Sequence, residues 1–289
     1  MMRAVKKEYS IGIDIGATKM NAVLFDGEKI VFDYMLSTPK DSIEKFMAML
    51  FALIDPLIEK ARKNKVRVKG IGLGVAGAVD FKERIVLVSP NLTIIENEKI
   101  ASQLEIKTGL PVYMDNDANA FIRAEALAGA GKKYHNIYGI TIGTGIGGGW
   151  WHNGEIYQGV HGGAGEPSVM VVDYQNGLGL EAAYQRLMKN NALNVAEEAY
   201  RGDVLAEKAF QELGTLMGIA FANIANILDP EIFVIGGSVV ESSDLFLKEA
   251  RMAMKKFIES PIGKKEITIV KSKLGKHAGA VGAALLVKN

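Results

Sequence analysis

The chain of 289 residues contains no cysteine. That absence excludes disulfides, thiolate metal sites and cysteine nucleophiles together, so any catalysis must rest on other groups. An excess of charge of either sign is also missing: 34 Lys and Arg stand against 33 Asp and Glu, spread throughout, for a formal net charge of +1. Without a basic patch or an acidic tail, nucleic acid is not an expected partner, and a bound phosphate would have to be neutralised locally. No apolar run reaches membrane length. The opening MMRAVKKEYSIGID is basic for a few residues and then enters a strand with Asp14, without the apolar core of a signal peptide. The expectation is a soluble, cytoplasmic protein with no membrane partner. Apolar residues make up 48% of the chain, enough for a substantial core in two domains of ordinary size or one large one.

Glycine, by contrast, is concentrated. Residues 139–149, GITIGTGIGGG, hold six glycines in an otherwise β-branched run. Glycine weakens a strand, so this density points to backbone that must approach something closely. GIDIGATKMNAVLFDG, from Gly12, has the same grammar of apolar strand, glycine turn and second apolar strand, and both read as hairpins. Such turns aim several backbone N–H groups at one place, and two of them would grip a polyphosphate. The pattern is not GxxxxGK[ST]. GTGIGG fits GxGxxG in spacing, but the following WWHNGEIY reads as a strand rather than a helix, which argues against a dinucleotide site.

Around these hairpins the chain alternates strands and helices. Residues 9–36 read as a three-stranded meander with Asp26-Gly27 as a tight turn. Apolar residues three or four apart predict a helix over 41–62, opened by Asp41-Ser42 and containing Pro56. A buried strand over 69–79, a helix over 98–108 and a short strand over 110–114 follow. A helix over 116–130 has Asp115, Asn116 or Asp117 to cap its first turn, with capping the preferred role for Asp115. Further on come helices beginning at GLEAAYQRL and over 206–228, the strand EIFVIGG, and a small-residue helix over 277–287. This order favours two related α/β halves. The boundary is expected near 115–119, giving an N-terminal domain over 1–116, with the helix of about 277–289 packing back on it, and a C-terminal domain over 117–276.

DIGATK, SPNL, DNDANA, TIGTGIGGG, NGEIYQGVHGGAGE and VIGGSVV occur in the order that characterises the ROK family of sugar kinases, within the actin-like ATPase superfamily, and the resemblance runs from about residue 9 to the C-terminus. It implies an α/β fold of two actin-like, RNase H-like domains, each a mixed sheet with flanking helices, around a central cleft. It also implies ATP with Mg²⁺ as phosphoryl donor, a hexose as acceptor, and admits a homodimer. Many members are regulators with an added N-terminal helix-turn-helix. Only about eight residues precede the first strand here, which favours the kinase arm.

The resemblance assigns Asp117 as catalytic base and sugar contacts to Gly77, Asn91, Asn116, Asp117, Glu166 and Glu181. On the nucleotide side it assigns Asp14, Gly16, Thr18 and Lys19 to one phosphate segment, Thr144, Gly145 and Gly147 to the other, and Gly236 and Gly237 to the adenosine turn. Asp14 would orient water around Mg²⁺. Plainer readings stand beside several of these: Lys19 as a solvated lysine, Asn91 as the shape of a Pro-Asn turn, Glu181 as a first-turn carboxylate favoured by the helix dipole.

The pattern breaks at one place. Many members carry a histidine three residues after the glutamate of the GE motif and then a cysteine cluster holding zinc. This chain has Val169 at that position and no cysteine, so no zinc is expected, and the segment 171–180 should close as a plain turn through Asn176-Gly177. His135, His152, His161 and His277 are scattered and read as no metal site. The leading function is ATP-dependent phosphorylation of a hexose hydroxyl, O6 of glucose or a related hexose. The alternatives are a kinase of N-acetylglucosamine or N-acetylmannosamine, a sugar-sensing regulator without turnover, and a polymerising actin-type ATPase.

Overall fold

β1 (Glu8–Ile15) alternates Tyr9, Ile11, Ile13 and Ile15 with Glu8, Ser10, Gly12 and Asp14, and the isoleucines on its one apolar face are fully buried. The computed structural model describes residues 8–189 and 191–287; the basic segment 1–7 and the final residues 288–289 of the expected C-terminal helix lie outside them. The chain divides into two compact units, one from Met1–Ala124 with His277–Asn289 and one from Glu125–Lys276.

In the first unit, β1 is followed by β2 (Lys19–Phe25), β3 (Ile30–Ser37), α1 (Ile43–Lys63), β4 (Arg67–Val75), β5 (Ala78–Asp80), β6 (Ile85–Val88), α2 (Ile100–Thr108), β7 (Val112–Asn116) and the start of α3 (Asp117–Ala128). The sheet order is β3-β2-β1-β4-β7, with the meander antiparallel and β1, β4 and β7 mutually parallel. Ser42 caps α1 by accepting from the Lys45 N–H, and Phe46, Leu50, Leu53 and Leu57 form its buried stripe. Each such side chain contributes about 1.5–3 kcal/mol on full burial. The expected strand over 69–79 ends at Val75, because Gly77 takes φ +133° and turns the chain into the separate β5–β6 hairpin.

The second unit adds β8 (Asn136–Ile142), β9 (Ile146–His152), β10 (Glu155–Ile156), β11 (Val171–Asp173), β12 (Leu178–Gly179), α4 (Leu180–Met188), α5 (Ala192–Tyr200), α6 (Val204–Leu228), β13 (Ile232–Gly236), α7 (Leu247–Phe257), α8 (Pro261–Glu266) and β14 (Thr268–Lys271). Its sheet, β10-β9-β8-β13-β14, has the same plan of three antiparallel strands in chain order followed by parallel neighbours. Segment 171–180 closes as the β11–β12 hairpin, with Gly177 at φ +65° and the Asp173 carboxylate accepting from the Asn176 N–H. Each unit has its own apolar core.

The chain leaves the first unit inside α3, after Ala124 and beyond the boundary expected at Asn116. Glu125, fully buried, opens the second unit. Its carboxylate accepts from Ser272 Oγ at 2.6 Å and from the N–H groups of Ala130, Lys273 and Leu274 at 2.7, 3.1 and 3.0 Å. The unit's first residue is thereby tied to the segment that precedes its last.

α9 (Ala278–Ala284), reached after the second unit, belongs to the first and packs on β1, β2, β4 and β7. Only small residues allow this approach: a Cβ on Gly12 would overlap the Ala280 carbonyl, one on Gly72 the Ala283 carbonyl, and one on Gly282 the Ala120 carbonyl. No helix among the described residues is long and apolar enough to cross a membrane. Gly72→Ala forces backbone apart and is expected to cost about 1–3 kcal/mol or more, whereas Gly163→Ala, with no neighbour within 4 Å, should stay within about 0.5 kcal/mol; urea unfolding midpoints compare the two.

Candidate active site

Three parallel strands end at one edge of the first sheet, and each carries candidate residues there. Asp14 on β1 pairs with Gly74 on β4, which pairs with Asp115 on β7. Gly77 follows β4, while Asn116 ends β7 and Asp117 begins α3. The carboxyl ends of parallel strands are where open α/β sheets gather ligand groups, because each chain turns there into a loop or helix.

Asn116, rather than Asp115, caps α3: its Oδ1 accepts from the N–H groups of Ala118 and Asn119 at 2.8 and 3.1 Å. Its Nδ2 donates to the Gly77 carbonyl at 2.9 Å, which joins the loop after β4 to the end of β7. That amide nitrogen has a second hydrogen to give. Asp115 corrects the capping expectation. It is 1% exposed; Oδ1 accepts from the Asn116 N–H and Asn119 Nδ2, and Oδ2 forms an ion pair with Arg123. The sequence reading missed Arg123, whose partner lies on the preceding strand.

Asp117 Oδ1 accepts from the Ala118 N–H at 2.9 Å. Desolvation outweighs that bond and holds its carboxyl above the ordinary aspartate range. Asp14 is pushed up to about 7, first by desolvation and then by the charge of Asp117, against a lowering from Lys19. The charge of Asp117 thus reaches the Asp14 carboxyl. In the adjoining hairpin turn the Gly16 N–H donates to the Lys19 carbonyl, and Thr38 closes it from behind: its Oγ1 donates to the Gly16 carbonyl at 2.7 Å and its N–H to the Thr18 carbonyl at 3.0 Å. Lys19 is exposed, as is Asn91 in the turn after Pro90. Thr38 lies at the end of the third meander strand, where no local signal marks it.

The second unit holds the remaining candidates. The 143–146 turn, containing Thr144 and Gly145, joins β8 to β9, and Gly147 lies on β9 opposite Thr141. Gly236 ends β13 beside Thr141 of β8, and Gly237, at φ +92°, sits so close to Ile142 that a Cβ would overlap its carbonyl. The glycine turn and the Gly236-Gly237 turn thus leave the same edge of the second sheet. Glu181 is committed to that turn: its Oε2 accepts from the Ile146 N–H at 2.7 Å, and a Cβ on Gly145 would come within 2.7 Å of it. Glu166 is exposed and accepts from Ser168 Oγ at 3.2 Å. The preceding Gly165 carbonyl accepts from Tyr138 Oη at 2.8 Å, and burial followed by the Glu166 charge raises that phenol's pKa. Val169 is 77% exposed.

Among the described residues no group of three or more His, Cys, Asp or Glu is placed to hold a metal ion. The residues around Val169, without cysteine, do not fit zinc. Asp115→Asn removes the charge that pairs with a guanidinium whose Nη1 already has no partner among the described residues. Breaking a buried pair at one end costs about 3–5 kcal/mol, and chemical denaturation should show a loss of that order.

A family model described as the ROK family matches residues 10–289. The chain is 29% identical to the xylose repressor of Bacillus subtilis (strain 168) over 98% of its own length and 77% of the repressor's. It is also 29% identical to the N-acetyl-D-glucosamine kinase of Mannheimia succiniciproducens, over 95% of this chain and 98% of the kinase. Among solved structures, a ROK family glucokinase from Streptomyces griseus, in complex with glucose and AMPPNP, superposes with a TM-score of 0.80 at 28% identity, covering 96% of this chain and 98% of that one. With the motif order, two sheets of one plan and a match over nearly the whole length, this chain belongs to the ROK family and has its two-domain actin-like sugar kinase fold.

Proposed function

We propose that the protein is an ATP-dependent kinase of a hexose hydroxyl, with Asp117 as general base. The observation that carries this reading is the Asp117 carboxylate at the junction of β7 and α3, kept above the ordinary aspartate range by desolvation and near enough to Asp14 for its charge to raise that carboxyl. A base poised in this way accepts the proton of an attacking sugar hydroxyl as its oxygen bonds to phosphorus, a contribution of about 10²- to 10⁴-fold. Asn116, Gly77, Asn91, Glu166 and Glu181 are assigned to the sugar. Asp14, Gly16, Thr18 and Lys19, with Thr144, Gly145, Gly147, Gly236 and Gly237, are assigned to the nucleotide.

The excess negative charge of Asp14 and Asp117 fits a hard divalent cation that keeps most of its waters, so Asp14 would hold Mg²⁺ through water. When bound, the ion neutralises charge on the β- and γ-phosphates. Glucose is the favoured acceptor because the structural relative at TM-score 0.80 holds glucose. N-Acetylglucosamine is the second candidate, on the strength of the Mannheimia kinase. The similarity to a xylose repressor over 98% of the chain supports a sugar-responsive regulator as the reading to be tested against turnover.

Nucleoside-diphosphate release, measured across a panel of sugars, tests the proposal; no release with any hexose or hexosamine would overturn it in favour of the regulator. Asp117→Asn should lower turnover at least about a hundredfold while sugar and nucleotide affinities change little, since the lost interaction belongs to the transition state. The active form is the deprotonated one, so the wild-type rate should fall as pH drops through a value above the ordinary carboxylate range, and stay flat above it. EDTA should abolish activity and Mg²⁺ alone restore it, with no stoichiometric zinc in metal analysis of the purified protein.

A further inference from the structure

Three side chains on one face of α4 each grip a different part of the glycine turn. Glu181, Tyr184 and Gln185 stand at i, i+3 and i+4 of the helix, which places them side by side. Glu181 Oε2 accepts from the Ile146 N–H at 2.7 Å, Tyr184 Oη donates to the Gly143 carbonyl at 2.6 Å, and Gln185 Nε2 donates to the Thr144 carbonyl. The turn closes on itself through a single bond, from the Gly143 N–H to the Gly145 carbonyl. A stretch this rich in glycine has little intrinsic preference for one conformation, so its shape is set from outside. Tyr184 is 2% exposed, and burial with the Glu181 charge pushes its phenol up to about 12, which keeps it a donor.

The first turn of the same helix is anchored to the segment following Glu166. The Leu180 N–H donates to the Met170 carbonyl and the Glu181 N–H to the Ser168 carbonyl, both at 2.9 Å, while Ser168 Oγ donates to the Glu166 carboxylate. A continuous set of hydrogen bonds therefore runs from Glu166 through 168–170 and the first turn of α4 to the 143–146 turn, all inside the second unit.

We propose that Tyr184 and Gln185 are positioning residues for the phosphate turn, and that α4 couples the occupancy of Glu166 and Glu181 by sugar to the affinity of that turn for nucleotide. This rests on the kinase reading, which assigns the two carboxylates to the sugar and the turn to the phosphates. Neither Tyr184 nor Gln185 is assigned to a substrate. Sugar that draws on the Glu181 carboxylate shifts the bond to Ile146, and the helix carries the change to the two carbonyls held by Tyr184 and Gln185.

Calorimetric titration of AMPPNP with Mg²⁺, with and without saturating glucose or N-acetylglucosamine, reads the coupling directly. In the wild type one of the two sugars should tighten nucleotide binding by at least about fivefold, the lower end of ordinary coupling between sites. Tyr184→Phe, which removes one hydroxyl and keeps the ring, should weaken nucleotide binding by about three- to tenfold, the effect of one lost hydrogen bond. It should bring the coupling factor close to one while leaving sugar affinity in the absence of nucleotide unchanged. Gln185→Ala, at the exposed edge of the same stripe, should act in the same direction and serves as second variant where Tyr184→Phe does not fold. Unchanged nucleotide affinity and coupling in both variants would overturn the proposal, as would equal losses of sugar and nucleotide affinity accompanied by a lower Tm, the mark of general loosening. Wild-type binding of both ligands without coupling would remove the inference and leave the kinase reading standing. Binding of neither ligand by the wild type would remove both.

Discussion

The close approach of α9 to β1 and β4 is the constraint on which the first unit depends. Gly12, Gly72 and Gly282 remove the Cβ atoms that would hold helix and strands apart, and the Gly282 contact reaches the Ala120 carbonyl in α3. Backbone packed this tightly leaves no room for sliding, so the edge at which β1, β4 and β7 end has one arrangement. Asp14, Gly77, Asn116 and Asp117 all stand on that edge. The bond from Asn116 to the Gly77 carbonyl and the Asp115–Arg123 pair then hold the short turn into α3. Gly279 of α9 sits against Asp14, where a Cβ would come within 2.6 Å of its carboxylate. The same packing that builds the core crowds Asp14 on that side.

The second unit solves a similar problem with side chains. Its sheet repeats the order of three antiparallel strands followed by parallel neighbours, but the glycine turn between β8 and β9 is shaped by polar groups of α4 rather than by backbone contact alone. Bonds to a turn are easier to exchange than interlocked backbone, because each can be replaced by a ligand or by water. Rigidity in one unit and adjustability in the other would suit the proposed phosphoryl transfer, in which a base stays fixed while polyphosphate enters and leaves.

Features carried by local pattern were legible in the sequence. The two glycine hairpins, the helix with Phe46, Leu50 and Leu57 on one face, and the strand-to-helix junction at Asn116-Asp117 are local events, and each was read within a few residues of its position. What escaped notice depends on partners brought in from elsewhere. Asp115 reads as a cap because caps are made of such residues, and only the fold turns it toward Arg123. Glu181 is separated by 35 residues from the N–H that it accepts from, and Thr38 by 22 from the carbonyl to which it donates. Periodicity tells which side of a helix faces inward; it carries no information on which backbone group waits there. The β5–β6 hairpin escaped because the short run 78–88 has no strict alternation, while Gly77, which creates it, was read only as a ligand position.

The chain order of the two units has a consequence for synthesis. Everything in the second unit is contiguous, and Glu125 fastens its beginning to 272–274 near its end, so that unit can complete itself as soon as residue 276 has emerged. The first unit cannot. Its sheet is made early, but α9, which covers β1 and β4, is made only after the whole of the second unit. Through that interval Gly12 and Gly72 lie on strand faces with no helix over them. The nascent chain therefore carries an uncovered, glycine-rich strand face for the time needed to make about 150 residues, on the order of eight to thirty seconds at ordinary rates of synthesis, an interval in which misassembly and chaperone capture compete with folding.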